Sequence, residues 1–262
     1  MDSATATVVD GRILFDLLTS IVWTLLRVGS MFMAAPIVGT PVVSMRVRLV
    51  LSVAVSLALT PLIPPAPPAA IDAATVLNVM REIAVGAAMG FVLRLAFEAG
   101  ALVGELISQG MALSFAQMSD PVRGVNSTVI GQWFFLTFGL LFFTAGGHLA
   151  LVQLVFDSYA TLPIGAALPD MQAFLQAAPA FMAVVLRAGV SIALPVVIAM
   201  LAINIAFGVL SRASPALNTI AIGLSGAILV GLFLLTQLVG QFAAPVQGLF
   251  DQSFDAARSL LG

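Results

Sequence analysis

The feature that most limits how this chain can fold is a set of long runs without any charged residue. The two longest cover residues 124–156 and residues 213–250. Shorter runs cover residues 28–45, 49–71 and 188–211. About 20 apolar residues in a helix cross the roughly 30 Å of hydrocarbon in a bilayer. The sequence therefore predicts an all-α, polytopic membrane protein, whose two longest runs form helices that reach beyond the hydrocarbon or lie within a protein assembly.

The composition excludes most soluble and enzymatic classes. Charged residues make up 8% of the 262 residues and hydrophobic residues 61%, whereas an ordinary soluble domain carries about 25% charged residues. All ten basic residues are arginine, so neither a GxxxxGK[ST] phosphate loop nor Schiff-base chemistry is available. With no cysteine and a single histidine, His148, we expect no metal site and no cofactor. The net charge of −2 gives no reason to expect nucleic-acid binding.

Prolines and polar turns divide the chain into six expected helical segments. These segments cover residues 14–40, 47–63, 73–108, 125–158, 171–211 and 216–250. A short SRASP turn joins the last two, which we expect to form a helical hairpin. Arginines lie in the turns after the first, third and fifth segments, while the opposite loops, residues 64–72 and 157–170, contain none. The positive-inside rule then places the arginine-bearing turns in the cytoplasm and both termini outside.

The third segment is an unusual membrane span because it carries several charges. Arg94 and Glu98 lie four residues apart, so they share one helix face and can pair. The same segment has small residues at recurring positions, among them Gly86, Gly90, Gly100 and Gly104. Such a stripe lets another backbone approach closely. Two interpretations stay open: packing against a helix of the same chain, or contact between subunits.

An arginine also interrupts the apolar fifth segment. Arg187 lies in FMAVVLRAGVSIAL, and a central arginine costs about 2.5–3.5 kcal/mol on insertion scales. It therefore needs a partner, water or a position near an interface; Asn204, Gln237 and Gln241 are candidate partners. A stand-alone solute transporter or channel would use such groups, but the spans supply few ionisable residues for an ion or proton pathway.

One short motif suggests a protease. The GLSG at residues 223–226 resembles the GxSG around the nucleophile of rhomboid intramembrane proteases, with His148 as the only available base. The order of serine and histidine is the reverse of that family's. The expected depths of Ser225 and His148 differ by about 15 Å, which is beyond hydrogen-bond reach. A site of close helix packing is the preferred interpretation.

The segment QGMALSFAQMSD, residues 109–120, mixes polar and flexible apolar side chains ahead of the Pro121 break. Its most informative residues are Gln109, Met111, Phe115 and Met118. Methionine-rich surfaces adapt to varied partners. The segment is either a loop that closes a pore by apolar contact or a plain helix terminus and turn, and composition alone favours the terminus.

Several strings together resemble the FliR family of flagellar biosynthetic proteins. They are RVGSMFMAAPIVGTPVVSMRVRL at residues 27–49, LSFAQMSDPVRGVNSTVIGQ at 113–132, GGHLALVQLVFDSYATLPIG at 146–165 and LSRASPALNTIAIG at 210–223. The resemblance follows most of the chain in order. One departure is Leu224-Ser225, where the family pattern has a Phe-Pro pair.

The resemblance implies a non-enzymatic subunit of the export gate of the flagellar type III secretion apparatus, in the bacterial inner membrane at the flagellar basal body. In that family one copy assembles with FliP and FliQ subunits, and FlhB, FlhA and unfolded export substrates are further implied partners. Residues 1–178 would be the FliP-like portion and residues 179–262 the FliQ-like hairpin. Residues 109–121 would be the plug loop of the pore, with Gln109, Met111, Phe115 and Met118 as the plug residues. Met111, Phe115 and Met118 would form part of an apolar constriction. A virulence-associated type III secretion homologue remains the alternative within the same class.

Overall fold

The computed structural model describes residues 11–65, 72–113, 128–166, 171–213 and 219–260. All regular elements in these ranges are helical, which confirms the expected all-α class for the part of the chain that is described. The α-helices are α1 (Gly11–Ala34), α2 (Met45–Leu59), α3 (Ala73–Gly110), α4 (Val129–Thr144), α5 (Gly147–Thr161), α6 (Met171–Ala213), α7 (Thr219–Val239) and α8 (Ala243–Ser259). A short 3₁₀ turn, Thr60–Leu62, extends α2.

Four helices are long and apolar enough to cross a membrane by themselves. They are Ile13–Ala34, Met45–Leu62, Ala73–Gly110 and Pro179–Ala213. Two further pairs, α4 with α5 and α7 with α8, pass the same test as bent spans. The count of candidate spans within the described residues is therefore four to six, and the upper value equals the number of hydrophobic segments predicted from the sequence.

The prediction of single long helices is wrong for the two longest uncharged runs. The first run breaks between α4 and α5, where Gly146 has a φ of +75° that side-chain-bearing residues rarely adopt. The second run breaks between α7 and α8, whose axes meet at 64°. There the Leu238 carbonyl accepts the N–H groups of both Gln241 and Phe242. The backbone turns at these breaks, so a run without charges need not be one helix.

Helix starts follow ordinary capping chemistry. Thr128 accepts the Gly131 N–H at 3.0 Å at the start of α4. Asp72 accepts the Thr75 N–H at 2.7 Å at the start of α3. This backbone hydrogen bond holds the pKa of the Asp72 carboxyl below its usual range. The polar residues that separate the apolar runs therefore serve as caps.

The α1–α2 turn differs from the predicted boundary, because α1 ends at Ala34 and not at residue 40. Pro36 has no N–H to continue the helix, and Ile37 follows with a φ of 65°. Arg48 of α2 closes the turn by donating from Nη2 to the carbonyls of Thr40 and Val43. An arginine that the sequence assigns only to membrane orientation thus also satisfies backbone acceptors.

The described helices form two compact units. The first comprises residues 1–94, 149–174 and 256–262, and the second comprises residues 95–148 and 175–255. The fully buried core of the first unit includes Val28, Met31, Met89 and Leu154. The suggested division at residues 178/179 rests on family likeness and stays a prediction.

The second unit is built around phenylalanine rings from α3, α4 and α8. The Phe97 ring lies 5.6 Å from Phe142 and 5.4 Å from Phe250, between ring centroids. Phe142 and Phe250 meet edge to face at 5.4 Å. Such pairs contribute about 0.5–1.5 kcal/mol each beyond burial. In the same unit Phe207 of α6 packs against Gly226 of α7, which is consistent with the expected hairpin.

Replacing Gly146 with alanine tests the break between α4 and α5. A β carbon at Gly146 would meet no atom within 4 Å, so the cost comes only from its positive φ. We expect Gly146→Ala to lower the free energy of unfolding by about 1 kcal/mol, measured by unfolding in mixed micelles. Gly29→Ala is the control, since it also has open space but a helical φ; equal effects of the two changes would contradict the strain argument.

Candidate functional site

The end of α3 adopts a well-defined capping geometry directly before the predicted plug loop. The Ala112 N–H donates to the Gln109 carbonyl and the Leu113 N–H to the Ser108 carbonyl, both at 3.0 Å. This is the pair of hydrogen bonds of a Schellman motif. Its left-handed position is usually glycine, but here it is Ala112, with a φ of 57°. A non-glycine residue there carries about 1–2 kcal/mol of strain, so the surrounding contacts must hold this turn.

Side chains of α6 and α7 supply those contacts. Asn204 of α6 donates from Nδ2 to the Gly110 carbonyl at 3.1 Å. Met111 is fully buried, and its Cγ lies 2.5 Å from where a β carbon on Gly231 would be. The Met200 side chain of α6 also approaches Gly110, with its Cβ 3.2 Å from where a β carbon on Gly110 would be. The last turn of α3 is therefore held by two neighbouring helices of the second unit.

The four predicted plug residues differ in what the structure shows of them. Gln109 is exposed and donates to Glu105 Oε1 at 3.3 Å. Met111 is buried in its own chain against Gly231. Phe115 and Met118 lie outside the described residues. Gln109 and Gly110 still belong to α3, so the helix extends two residues past the predicted end at residue 108.

The predicted glycine stripe meets helices of the same chain at all four positions. A β carbon on Gly86 would lie 2.1 Å from the Arg27 carbonyl oxygen, and one on Gly90 would lie 2.4 Å from that of Met31, both in α1. The two remaining glycines face α4. A β carbon on Gly100 would lie 3.0 Å from the Phe138 ring, and one on Gly104 would lie 2.3 Å from the Gly131 Cα. Intramolecular packing therefore uses the stripe; a contact between subunits stays a prediction.

Gly104 offers the sharpest test of this packing. A β carbon there would meet backbone atoms of Gly131 that cannot rotate away. We expect Gly104→Ala to destabilise the protein by about 1–3 kcal/mol through overpacking, as measured by the midpoint of thermal unfolding in detergent. In Gly208→Ala the new methyl group meets nothing within 4 Å, so this control should be neutral or slightly stabilising. Similar losses in both variants would exclude the close approach as the cause.

The predicted intramembrane charges all lie on the outside of the described chain. Arg94 and Glu98 of α3 are exposed, and their pairing stays a prediction. Arg187 of α6 is exposed as well. The uncharged residues 188–211 separate it from Arg212 and measure about 36 Å as a helix. This length exceeds the hydrocarbon thickness, so the two arginines can occupy opposite membrane interfaces.

The three candidate partners of Arg187 are either hydrogen-bonded to another residue or exposed. Asn204 is bonded to Gly110, as described above. Gln237 and Gln241 are exposed near the end of α7. Of the three candidates, the structure thus gives Asn204 a different partner, and a position of Arg187 near a membrane interface stays a prediction.

A second charge cluster, in the first unit, was not predicted from the sequence. Arg27 of α1 is fully buried and pairs with Glu82 of α3, which is 2% exposed. The pair is bidentate, with Nε at 2.7 Å from Oε2 and Nη2 at 2.9 Å from Oε1. Nη1 donates to the carbonyl and hydroxyl of Ser158, and Nη2 also donates to the Leu162 carbonyl. All five N–H donors of the guanidinium are thus used.

The cluster joins α1 and α3 to the end of α5. Ser158, in the last turn of α5, and Leu162, the first residue after it, supply carbonyls at the helix end where partial negative charge accumulates. The Tyr159 ring covers the guanidinium, with Arg27 Cζ at 4.0 Å from the ring centroid. One signal for this cluster is present in the sequence: Arg27 is the only basic residue between Arg12 and Arg46 and stands in an apolar helix.

Removing one partner of this ion pair should be costly. Glu82→Ala leaves a buried guanidinium uncompensated, which costs about 3–5 kcal/mol. Glu98→Ala on the exposed face of the same helix is the matched control and should cost about 1 kcal/mol or less. The measurement is the free energy of unfolding in mixed micelles.

A double variant tests whether the cost of Glu82→Ala comes from leaving one buried charge without a counter-charge. Arg27→Met with Glu82→Leu removes both charges, and it should be more stable than Glu82→Ala, because no charge is left alone. Equal destabilisation by Glu82→Ala and Glu98→Ala would contradict the role assigned to the pair.

The structure gives the protease interpretation no support. The His148 ring rests on the Phe143 ring, at 5.5 Å between centroids, and His148 is exposed at the start of α5. A β carbon on Gly226, in the GLSG motif, would lie 2.5 Å from the Phe207 ring. Such a close approach is expected where two helices pack tightly. Among the described residues, no three histidine, aspartate or glutamate side chains are grouped as metal ligands.

These features define a polytopic helical membrane protein with a buried ion pair and a tightly held helix end. Comparison with known proteins narrows this class. The model of the family described as bacterial export proteins, family 1, matches residues 18–253. The chain is 33% identical to the flagellar biosynthetic protein FliR of Escherichia coli (strain K12) over 239 residues, 91% of each chain. FliR of Pectobacterium carotovorum subsp. carotovorum is 32% identical, also over 239 residues and 91% of each chain.

A more distant relative shows the same likeness along the chain. FliR of Bacillus subtilis (strain 168) is 25% identical over 252 residues, 95% of this chain and 96% of its own. The chain therefore belongs to the family of bacterial export proteins, family 1, and to the FliR proteins within it.

Proposed function

We propose that this chain is a subunit of the flagellar type III secretion export gate and forms part of the channel through which unfolded flagellar proteins cross the bacterial inner membrane. The observation that carries the proposal is the likeness to FliR relatives over 91% of both chains. That likeness includes the end of α3 and the residues after it. All the relatives named above are flagellar proteins, which favours the flagellar system over a virulence-associated one.

The outer faces of the helices support assembly with other subunits. On α6, large apolar side chains at helical spacing are strongly exposed; they are Leu186, Val190, Leu194, Ile198, Leu201 and Ile205. A face of this kind needs lipid or a partner helix. The partners we propose are FliP and FliQ in one hetero-oligomer, with FlhB, FlhA and unfolded substrates as further contacts. Residues 1–178 would take the FliP-like place and residues 179–262 the FliQ-like place.

The mechanism we propose for the gate is displacement, without bond-making chemistry. At rest, residues 109–121 close the pore by apolar contact, and Phe115 and Met118 contribute to a constriction that excludes water and ions. An arriving extended chain replaces those contacts with its own. The tightly held end of α3 gives the loop a rigid starting point. We infer a role without catalysis, since the gate only binds and releases.

The membrane placement follows from the arginines. Arg46 and Arg48 lie in the first turn of α2, and Arg212 lies in the last turn of α6. With these turns in the cytoplasm, both termini lie outside the inner membrane. Arg187 then lies near the outer interface, where its long side chain can reach the headgroups.

Shortening the loop tests the proposed function. We expect deletion of residues 114–119 to make the membrane permeable to small ions, because the apolar closure is lost while the capped end of α3 stays intact. Ion conductance of the purified complex in planar bilayers is the measurement. Deletion of residues 64–69, six residues of the proline-rich connection, is the length-matched control and should stay closed.

Assembly must be checked on the same samples. The deletion variant should still co-purify with FliP and FliQ, since the packing faces of α3 and α6 are unchanged. Unchanged conductance in an intact complex would falsify the proposed closure. Purification of the unchanged chain as a stable, active single subunit would instead favour a stand-alone transporter.

A further inference from the structure

Three contacts meet at the last turn of α3, and they come from three different helices. The Schellman hydrogen bonds close the turn from within α3. Asn204 of α6 holds the Gly110 carbonyl. Met111 packs against Gly231 of α7. A helix end that merely led into a loop would not need backbone, amide and side-chain contacts together.

The Met111–Gly231 contact is specific to these two residue types. The Cγ, Sδ and Cε atoms of Met111 lie 2.5–2.7 Å from where a β carbon on Gly231 would be placed. The methionine side chain therefore occupies the space that any side chain at residue 231 would take. Met111 is fully buried there, so moving it out would expose the whole side chain and leave a cavity beside α7.

Asn204 performs a task that few residues in its helix can perform. Its neighbours in α6 are almost all apolar, and its amide donates to one of the last carbonyls of α3, which has no partner within its own helix. Because this carbonyl is hydrogen-bonded in the folded state, the helix end is stabilised against unwinding. The left-handed Ala112 follows directly, so the chain changes direction immediately after the held residues.

We propose that Met111, Gly231 and Asn204 form a fixed anchor, which keeps the first residues of the pore loop on α6 and α7 throughout export. Met111 is then a positioning residue and not a part of the moving closure. Displacement during export begins beyond Ala112. This inference rests on the proposed function and changes the sequence-based expectation that Met111 belongs to the constriction.

An engineered disulfide tests whether Met111 moves. The chain contains no cysteine, so Met111→Cys with Gly231→Cys introduces its only pair. The Met111 Cγ lies 2.5 Å from the residue 231 β-carbon position, which puts the two β carbons within about 4 Å and suits a disulfide. The variant is assembled in the full complex, oxidised in membranes, and assayed for an exported flagellar protein in the medium.

The comparison is made within one variant, oxidised against reduced, so effects of the substitutions themselves cancel. We expect the disulfide to form and export to change by less than about twofold. Export that falls more than tenfold on oxidation and returns on reduction would overturn the proposal, as would failure of the pair to cross-link. Each single-cysteine variant, oxidised in parallel, controls for other effects of the oxidant.

Asn204 is tested through resting permeability. Asn204→Asp has the same shape but no donor, so it should raise ion conductance of the closed complex at least threefold with assembly unchanged, and Asn204→Gln, which keeps an amide donor, should recover most of the closure. The matched control is Asn78→Asp, because the Asn78 oxygen only accepts a bond from Arg81. Conductance of Asn204→Asp equal to that of the unchanged chain would overturn its positioning role.

The two hypotheses fail in different ways. If deletion of residues 114–119 leaves the complex closed, the proposed function fails, whatever the disulfide shows. If that deletion opens the complex but the disulfide blocks export, the function stands and the fixed anchor is wrong.

Discussion

A guanidinium buried among apolar helices is the constraint on which the first unit depends. Burying a guanidinium away from water is costly, so the desolvation of Arg27 must be offset by partners. Glu82 supplies the counter-charge, and carbonyls at the end of α5 accept the remaining donors. A shift of any of the three helices by one residue would leave a charge or donor unpaired, which is costly in a low dielectric. The ion pair therefore fixes the mutual register of α1, α3 and α5.

The break between α4 and α5 has a local cause that hydropathy does not show. Residues 124–156 are uncharged and read as one long helix, yet the chain ends α4 at Thr144 and begins α5 at Gly147. Gly146 supplies the positive φ, and Gly147 leaves room for the Phe142 ring, 2.5 Å from its β-carbon position.

Apolar runs and caps are local properties, so they predicted the helical class, the candidate spans and most boundaries. Long-range pairing was out of reach. Arg27 and Arg187 look alike in the sequence, since each stands alone in an apolar helix, yet Arg27 is buried against a residue 55 positions away and Arg187 is exposed. The glycines of α3 could be recognised as contact points, but only the fold shows that α1 and α4 fill them. Asn204 was one of three candidate partners of Arg187, whereas the structure shows it donating to a backbone carbonyl of α3.

The two clusters supply side-chain donors to backbone carbonyls at a helix end, where carbonyls lack partners within the helix. Arg27 donates with a full charge to the Leu162 carbonyl, directly after α5. Asn204, which is exposed, donates with a neutral amide to the Gly110 carbonyl of α3. The charged solution fixes three helices together, whereas the neutral one costs less to desolvate and is followed by a strained alanine. The gate that we propose would need both properties: a scaffold that does not shift, and a fixed base for the loop whose contacts would change during export.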